Sequence, residues 1–461
     1  MINYNGNKAE NIKIAYIGGG SHGWAWKFMT DLAMADDISG EVALYDINYD
    51  AAKNNEIIGN RIKDMQECQS VWTYNAVETI DEALGGADFV IISILPATFD
   101  EMQSDVHAPE EYQIYQAVGD TTGPGGIIRA LRTIPMYEVI AKAIKRNCPK
   151  AWVINYTNPM AVCVSTLYKV FPEIKAFGCC HEVFGTQKLL AKMLHEMCGI
   201  ENIKREEIIT NVIGVNHFTW LTSAQYRNMD LFPLYREFCL KYAQDGYKEG
   251  GDDNWMNNSF QCEEKVKMDL FLRHGYIAAA GDRHLAEFCN KTWYLDSPER
   301  VSEMHFGLTG VDYRKKDLEK KLARSKRVAN GEEKFEFSNS GEDGVNQIRA
   351  LLGLHSFVTN INMPNFGQIP NMPRGVVVES NAAFRANAAT PLFAGEVPVE
   401  LYSMLSGMAA EQELTVRAGL ERDYELAFQA FIQDPLCSNI SLEQARKLFD
   451  KMIENTKEYL W

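Results

Sequence analysis

Two hydrophobic patterns alternate along the first half of the chain. Residues 12–17 (IKIAYI) form a short β-branched run that stops at Gly18, and residues 24–34 follow with apolar side chains at helical spacing. Further short runs occur at 41–47 (EVALYDI), 87–95 (ADFVIISIL) and 151–157 (AWVINYT). Between the last two, residues 127–147 place Ile128, Leu131, Ile134, Val139 and Ile144 on a helical repeat with Pro135 in or near it. Runs that are apolar throughout, instead of alternating, suit a parallel sheet covered on both faces. This predicts βα alternation to about Gly178. From Ile208 the pattern loosens into a strand pair over 210–222, a helix over 233–242 and a charged surface helix over 315–334. The polar, glycine-rich stretch 246–258 reads as a loop or lid.

Composition narrows the class of partner. The 461 residues are 46% apolar and 23% charged, as in ordinary globular proteins. Forty-six Lys and Arg against 62 Asp and Glu give a formal charge of −16, a field that repels nucleic acid and anionic lipid. An anionic substrate would therefore need a local cluster of Arg or Lys. No basic head with an apolar stretch opens the chain and no run approaches a membrane span, so a cytoplasmic protein is expected. Ten scattered cysteines do not resemble a disulfide framework and are expected reduced.

Against that pattern, four clusters carry chemistry. The first, Gly18-x-Gly20-Ser21-x-Gly23, follows a strand and opens a helix, and Asp46 ends the next strand. Glycines let backbone approach a pyrophosphate at a helix N-terminus, and the carboxylate accepts from ribose hydroxyls while repelling a 2′-phosphate, so NAD is expected over NADP. The second is residues 119–126 (GDTTGPGG), followed by Arg129 and Arg132: a ligand-approach loop or a tight irregular connection. The third pairs residues 179–182 (CCHE) with Asn216-His217. A thiolate and an imidazole are good ligands for a divalent transition metal, though a buried thiol is also an ordinary small hydrophobe. The fourth, residues 273–288, sets Tyr276, Asp282, Arg283, His284 and Glu287 among small and apolar residues, where ionisable groups are either paired or poised for acid/base work. GxSxG, HExxH and CxxC are absent, which removes the usual support for serine hydrolases, zincins and zinc ribbons.

The expected fold class is α/β, with a Rossmann-like dinucleotide-binding domain at 1–195 and an α+β catalytic and oligomerisation domain at 196–461. In this order, the GGGS turn, Asp46, the GDTTGPGG loop, residues 155–160 (NYTNPM), CHEV and Asn216-His217 resemble glycoside hydrolase family 4, the NAD- and metal-dependent glycosidases. Within it, GCCHEVFGTQKLL, GVNHFTW and AGDRHLAEF are most similar to members acting on α-galacturonides. The resemblance implies hydrolysis without the usual pair of carboxylates: NAD oxidises sugar C3, the C2 proton is removed, the C1 substituent leaves, water adds and the ketone is reduced again. It also implies a divalent metal, usually Mn²⁺, on Cys180 and His217, substrate contact at Asn158, and His181 protonating the departing oxygen. For the C2 base it implies Asp282, with Tyr276 in contention. Arg283 is expected to pair with a C6 carboxylate, Arg129 and Arg132 being alternatives. A homodimer or homotetramer is implied as well. The competing readings are an α-glucosidase or α-glucuronidase of the same family, an NAD-dependent 2-hydroxyacid dehydrogenase, and a non-catalytic NAD-sensing module.

A thiolate on a labile metal oxidises readily. Activity should therefore depend on added reductant and on divalent metal, and Cys180→Ser should lose it. Full activity of that variant, or of metal-free protein, measured as sugar release, would overturn the assignment.

Overall fold

The computed structural model describes residues 1–248, 262–308, 310–337 and 340–461. Of the stretch expected to be a loop or lid, residues 249–258 lie outside these. The strands are β1 (Asn3–Asn5), β2 (Lys8–Ile17), β3 (Ile38–Tyr45), β4 (Trp72–Val77), β5 (Phe89–Ile92), β6 (Trp152–Asn155), β7 (Lys175–Gly178), β8 (Ile208–Val215), β9 (Phe218–Tyr226), β10 (Met229–Asp230), β11 (Ile277–Ala278), β12 (Phe357–Pro364), β13 (Val377–Arg385) and β14 (Ala388–Pro391).

Strands β4-β3-β2-β5-β6-β7 lie side by side and parallel, the order of a doubly wound nucleotide-binding sheet. Alternate residues of one strand serve two cores. Ile14 and Tyr16 of β2 pack with Phe28, Leu32 and Ala52 on one face, while Ala15 and Ile17 pack with Leu84, Tyr137 and Ile144 on the other. This is why these strands read as continuous apolar runs. The order reverses between β2 and β5, and ligands of such sheets bind outside the strands' carboxyl ends at that point.

The sheet does not stop at the expected division. β12 pairs antiparallel with β7 through Asn362 and Gly178, and β13, β8, β9 and β10 continue outward in antiparallel pairs. The helix Glu182–Cys198 runs across residue 195. The strand pair expected over 210–222 is the hairpin of β8 and β9, turning at Asn216-His217, and the helix expected from 233 begins at Phe232. The charged helix differs from expectation at both ends, spanning Val311–Asn330, because Gly331 at φ +80 takes the left-handed cap that stops it. The helix expected over 127–147 starts earlier, at Gly123, and keeps Pro135 inside it. A large apolar cluster around Trp220, Phe218, Phe288, Leu405 and Phe431 forms the core of the C-terminal half and packs against Ile128 and Leu131.

Candidate active site

The turn Gly18–Gly23 leaves the carboxyl end of β2 and feeds the helix Trp24–Met34. A side chain at Gly18, whose φ is +93, would run into the Ser93 carbonyl, so backbone alone fits there. Beside Gly23 a Cβ would meet nothing within 4 Å, and no side chain caps this helix. An open, uncapped N-terminus suits an anionic phosphate. Ser21 Oγ accepts the Gly23 N–H at 3.4 Å. Asp46 follows β3 and accepts the Gly20 N–H on Oδ2 and the Asn48 N–H on Oδ1, each at 2.9 Å. These bonds aim the carboxylate over the turn.

A second group gathers at the ends of the other elements. Asp120 comes from the loop before the helix Gly123–Asn147, His217 from the β8–β9 turn and His284 from the short helix Asp282–Glu287. One ligand atom of each lies within 4.8 Å of the others. The rings of His217 and His284 stack at 4.0 Å, and Thr121 Oγ1 lies 3.0 Å from His217 Nδ1. Burial, and then His284, push the His217 imidazole down to about 3, so it is neutral and able to ligate. Burial opposes ionisation of Asp120, but His284 and Arg129 hold its carboxyl well below the usual range. Glu182 behaves alike: burial is outweighed by His284 and His181, with the Gly281 N–H adding to them, leaving it at about 2. Its Oε2 accepts the Gly281 N–H at 2.9 Å and its Oε1 lies 3.7 Å from His284 Nε2.

Cys180 is buried after β7, its thiol beside the Asn216 side chain. Burial, with Glu379 and Glu182 nearby, raises its pKa well above the ordinary value. A bound cation reverses that balance and favours the thiolate. Its sulfur is not part of the compact set of Asp120, His217 and His284, so the two expected ligands share neighbours rather than forming that set by themselves. Buried acceptors without partners, Asn158 Oδ1 and Asn216 Oδ1, and the unpartnered His284 Nδ1 complete a donor collection that fits a divalent metal and sugar hydroxyls.

The other expected residues divide. His181 presents a half-exposed ring whose Nδ1 lies 2.7 Å from Glu342; burial would lower it, but that bond carries its pKa above the ordinary value. Asp282 is fully buried and joins a different set, with Cys262 and Glu264; its Oδ1 accepts the Lys267 N–H and its Oδ2 has no partner. Burial and Glu264 push it up to about 7. Tyr276 immediately precedes β11 and packs, partly buried, against the C-terminal core. Arg283 donates from Nε to the Gly307 carbonyl and from Nη2 to that of Ala117. Arg132 is spent on a fully buried pair with Asp105, and Arg129 donates to the Asn158 carbonyl.

Three contributors had no assigned role in the sequence reading. Glu287 accepts the Val118 and Gly119 N–H groups at 2.7 and 2.9 Å, and Asp434 accepts the Gly123 N–H at 2.8 Å and the Thr122 hydroxyl at 3.1 Å. Together they shape the loop that carries Asp120. Arg314 stands beside Arg283, and its Nε is buried without a partner.

Comparison with known proteins decides the family. The family 4 glycosyl hydrolase model matches residues 13–196, and the model of that family's C-terminal domain matches 212–437. The chain is a family 4 glycoside hydrolase. It is 60% identical to the alpha-galacturonidase of Thermoanaerobacterium saccharolyticum across 100% of this chain and 98% of that one. A Bacillus subtilis structure described as a glucosidase superposes with a TM-score of 0.91 at 49% identity, covering 96% of this chain and 100% of that one. A 6-phospho-alpha-glucosidase from gut microorganisms, solved with NAD and Mn²⁺, shares the fold at a TM-score of 0.80 and 19% identity, covering 98% and 99%. Family membership makes the chain a glycoside hydrolase, and the dehydrogenase and sensing-module readings lapse.

Asp46→Ala should weaken NAD binding by ~10- to 150-fold, the worth of charge-assisted hydrogen bonds at 1.5–3 kcal/mol. Titration calorimetry checks this, and unchanged affinity would remove Asp46 from the cofactor site.

Proposed function

We propose that this enzyme is an α-galacturonidase, with NAD on the Gly18, Gly20, Ser21, Gly23 and Asp46 face and a divalent metal, Mn²⁺ first among them, on Cys180 and His217. What carries the reading is the end-to-end likeness to an alpha-galacturonidase at 60% identity, in a chain whose site residues fit both groups. When bound, NAD supplies a hydride acceptor and the metal a Lewis acid, which together make the C2 proton acidic.

The chain's own residues do the rest. Asn158 turns its unpartnered Oδ1 to a sugar hydroxyl. Asp282 takes the C2 proton: with a pKa near 7 it is partly ionised at neutral pH yet basic enough to hold the proton. Tyr276 is the alternative base. His181 hands its proton to the departing oxygen. The C6 carboxylate meets the guanidinium pair of Arg283 and Arg314. Two donors of Arg283 already serve backbone carbonyls, so the Arg314 Nε is the open one. Among the described residues no helix is long and apolar enough to cross a membrane. The reading includes a cytoplasmic location and a homodimer or homotetramer, for which the exposed Phe393 and Val399 offer apolar contact area.

The test is NMR of an α-galacturonide in D₂O with enzyme, NAD, Mn²⁺ and a thiol. Sugar release with deuterium at C2 is expected, and release without deuterium overturns the elimination route. Absence of release overturns the sugar assignment, and the same assay then goes to α-glucosides and α-glucuronides. Asp282→Asn should lower C2 exchange by ~10²- to 10⁴-fold while Tyr276→Phe retains it; the reverse pattern transfers the role to Tyr276. Arg314→Met should cost ~10- to 150-fold in kcat/KM on a uronide, with no comparable loss on the matching neutral galactoside. Equal losses on both would deny it the carboxylate.

A further inference from the structure

The carboxylate of Glu342 contacts the ring of His181. Its Oε1 is 2.7 Å from His181 Nδ1, and its side chain is 6% exposed against 53% for the imidazole. The remaining oxygen, Oε2, is buried without a partner. A buried carboxylate with half its hydrogen-bonding capacity unmet is costly unless something holds it there.

The segment around it supplies that hold. The Glu342 N–H donates to Ser340 Oγ at 2.9 Å, and Asp31 accepts both the Ser340 hydroxyl and its N–H. Asp343 is fixed by Arg205 at 2.6 Å and by the Thr359 hydroxyl at 2.7 Å. Any Cβ on Gly344 would collide with the Tyr156 hydroxyl. Tyr156 in turn stacks on Trp24, whose ring lies 6.0 Å from that of His181. The ring of His181 thus has as neighbours the Trp24–Tyr156 pair and a carboxylate whose segment is tied down by hydrogen bonds.

We propose that Glu342 is a positioning residue for proton delivery: it accepts Nδ1–H of His181 and so directs Nε2–H at the glycosidic oxygen. The inference rests on the reading of His181 as the acid. As the electron pair left at C2 closes the C1–C2 double bond, the C1–O bond breaks onto oxygen, which takes the Nε2 proton and leaves as an alcohol. His181 ends neutral, with its Nδ1–H still donated to Glu342. Such a carboxylate fixes the tautomer and orientation of the ring without touching substrate.

The experiment compares leaving groups. A nitrophenyl α-galacturonide departs as a stable phenolate and needs little protonation, whereas digalacturonate must leave as an alcohol. Glu342→Gln should cut kcat on digalacturonate by ~10- to 100-fold and on the nitrophenyl substrate by less than about threefold, with C2 deuterium exchange and NAD affinity unchanged. Glu342→Asp should recover part of the loss, and it makes the same comparison should the Gln variant fail to fold. His181→Ala is the reference and should show the same selectivity, larger. Equal losses on both substrates, or none, with His181→Ala selective, overturn the role of Glu342 alone. An unselective His181→Ala overturns the reading of His181 and the proposal with it.

Discussion

The two halves of the active site meet on the carboxylate of Glu182. It follows Cys180 and His181 at the start of the helix after β7, yet its contacts reach across to the C-terminal half, to the Gly281 N–H and to Nε2 of His284. His284 and His181, with the Gly281 N–H, outweigh the cost of burial and keep it ionised. An ionised, partly buried carboxylate with these partners ties the two halves, because breaking either contact would leave its charge less well compensated. The helix it holds carries His284, Arg283 and Glu287, and through them the stack on His217 and the loop bearing Asp120. A shift at Glu182 would thus move both donor walls together.

Other buried carboxylates repeat the device on backbone. Glu287 and Asp434 receive the N–H groups of the 118–123 loop, and Glu379 takes the Thr219 hydroxyl and the side chains of Asn216 and Asn360 around the β8–β9 turn. Burial pushes Glu287 up to about 8 and raises Glu379 and Asp434 as well. These groups hold loops whose glycines offer no side chain of their own to pack. The GDTTGPGG segment supplies flexibility of conformation, and distant acids supply the rigidity that a ligand site needs.

This division explains what was legible in the sequence. The Gly18–Gly23 turn, Asp46 and the apolar strands are local patterns, each set by residues within a few positions, and they place the nucleotide half directly. Cys180 and His217 were visible as ligand types. The partners that orient them were not: Glu287 lies 169 positions from Val118 and Asp434 312 from Thr122. A lone Glu or Asp in a polar stretch carries no mark of the N–H or imidazole it will meet, because only the folded sheet brings them together. Glu342, in the run SGEDG, looks like any solvated turn. His284 stood in a segment singled out for its ionisable groups, but a period alone could not show which of them turns to His217.

Charge closes the account. The chain's field is strongly negative, so the uronate of the proposed function would approach against it and would have to be met by cations concentrated at the site. Burial, and then Arg314, push Arg283 down to about 10, and burial likewise lowers Arg129. Glu287 and Asp120 offset part of that effect on Arg283, and two of its donors serve backbone carbonyls. Arg132 shows the contrasting case: it sits on Asp105 in a closed pair and has no charge left to offer. The unpartnered Nε of Arg314 beside Arg283 is the observation on which the proposed carboxylate contact rests.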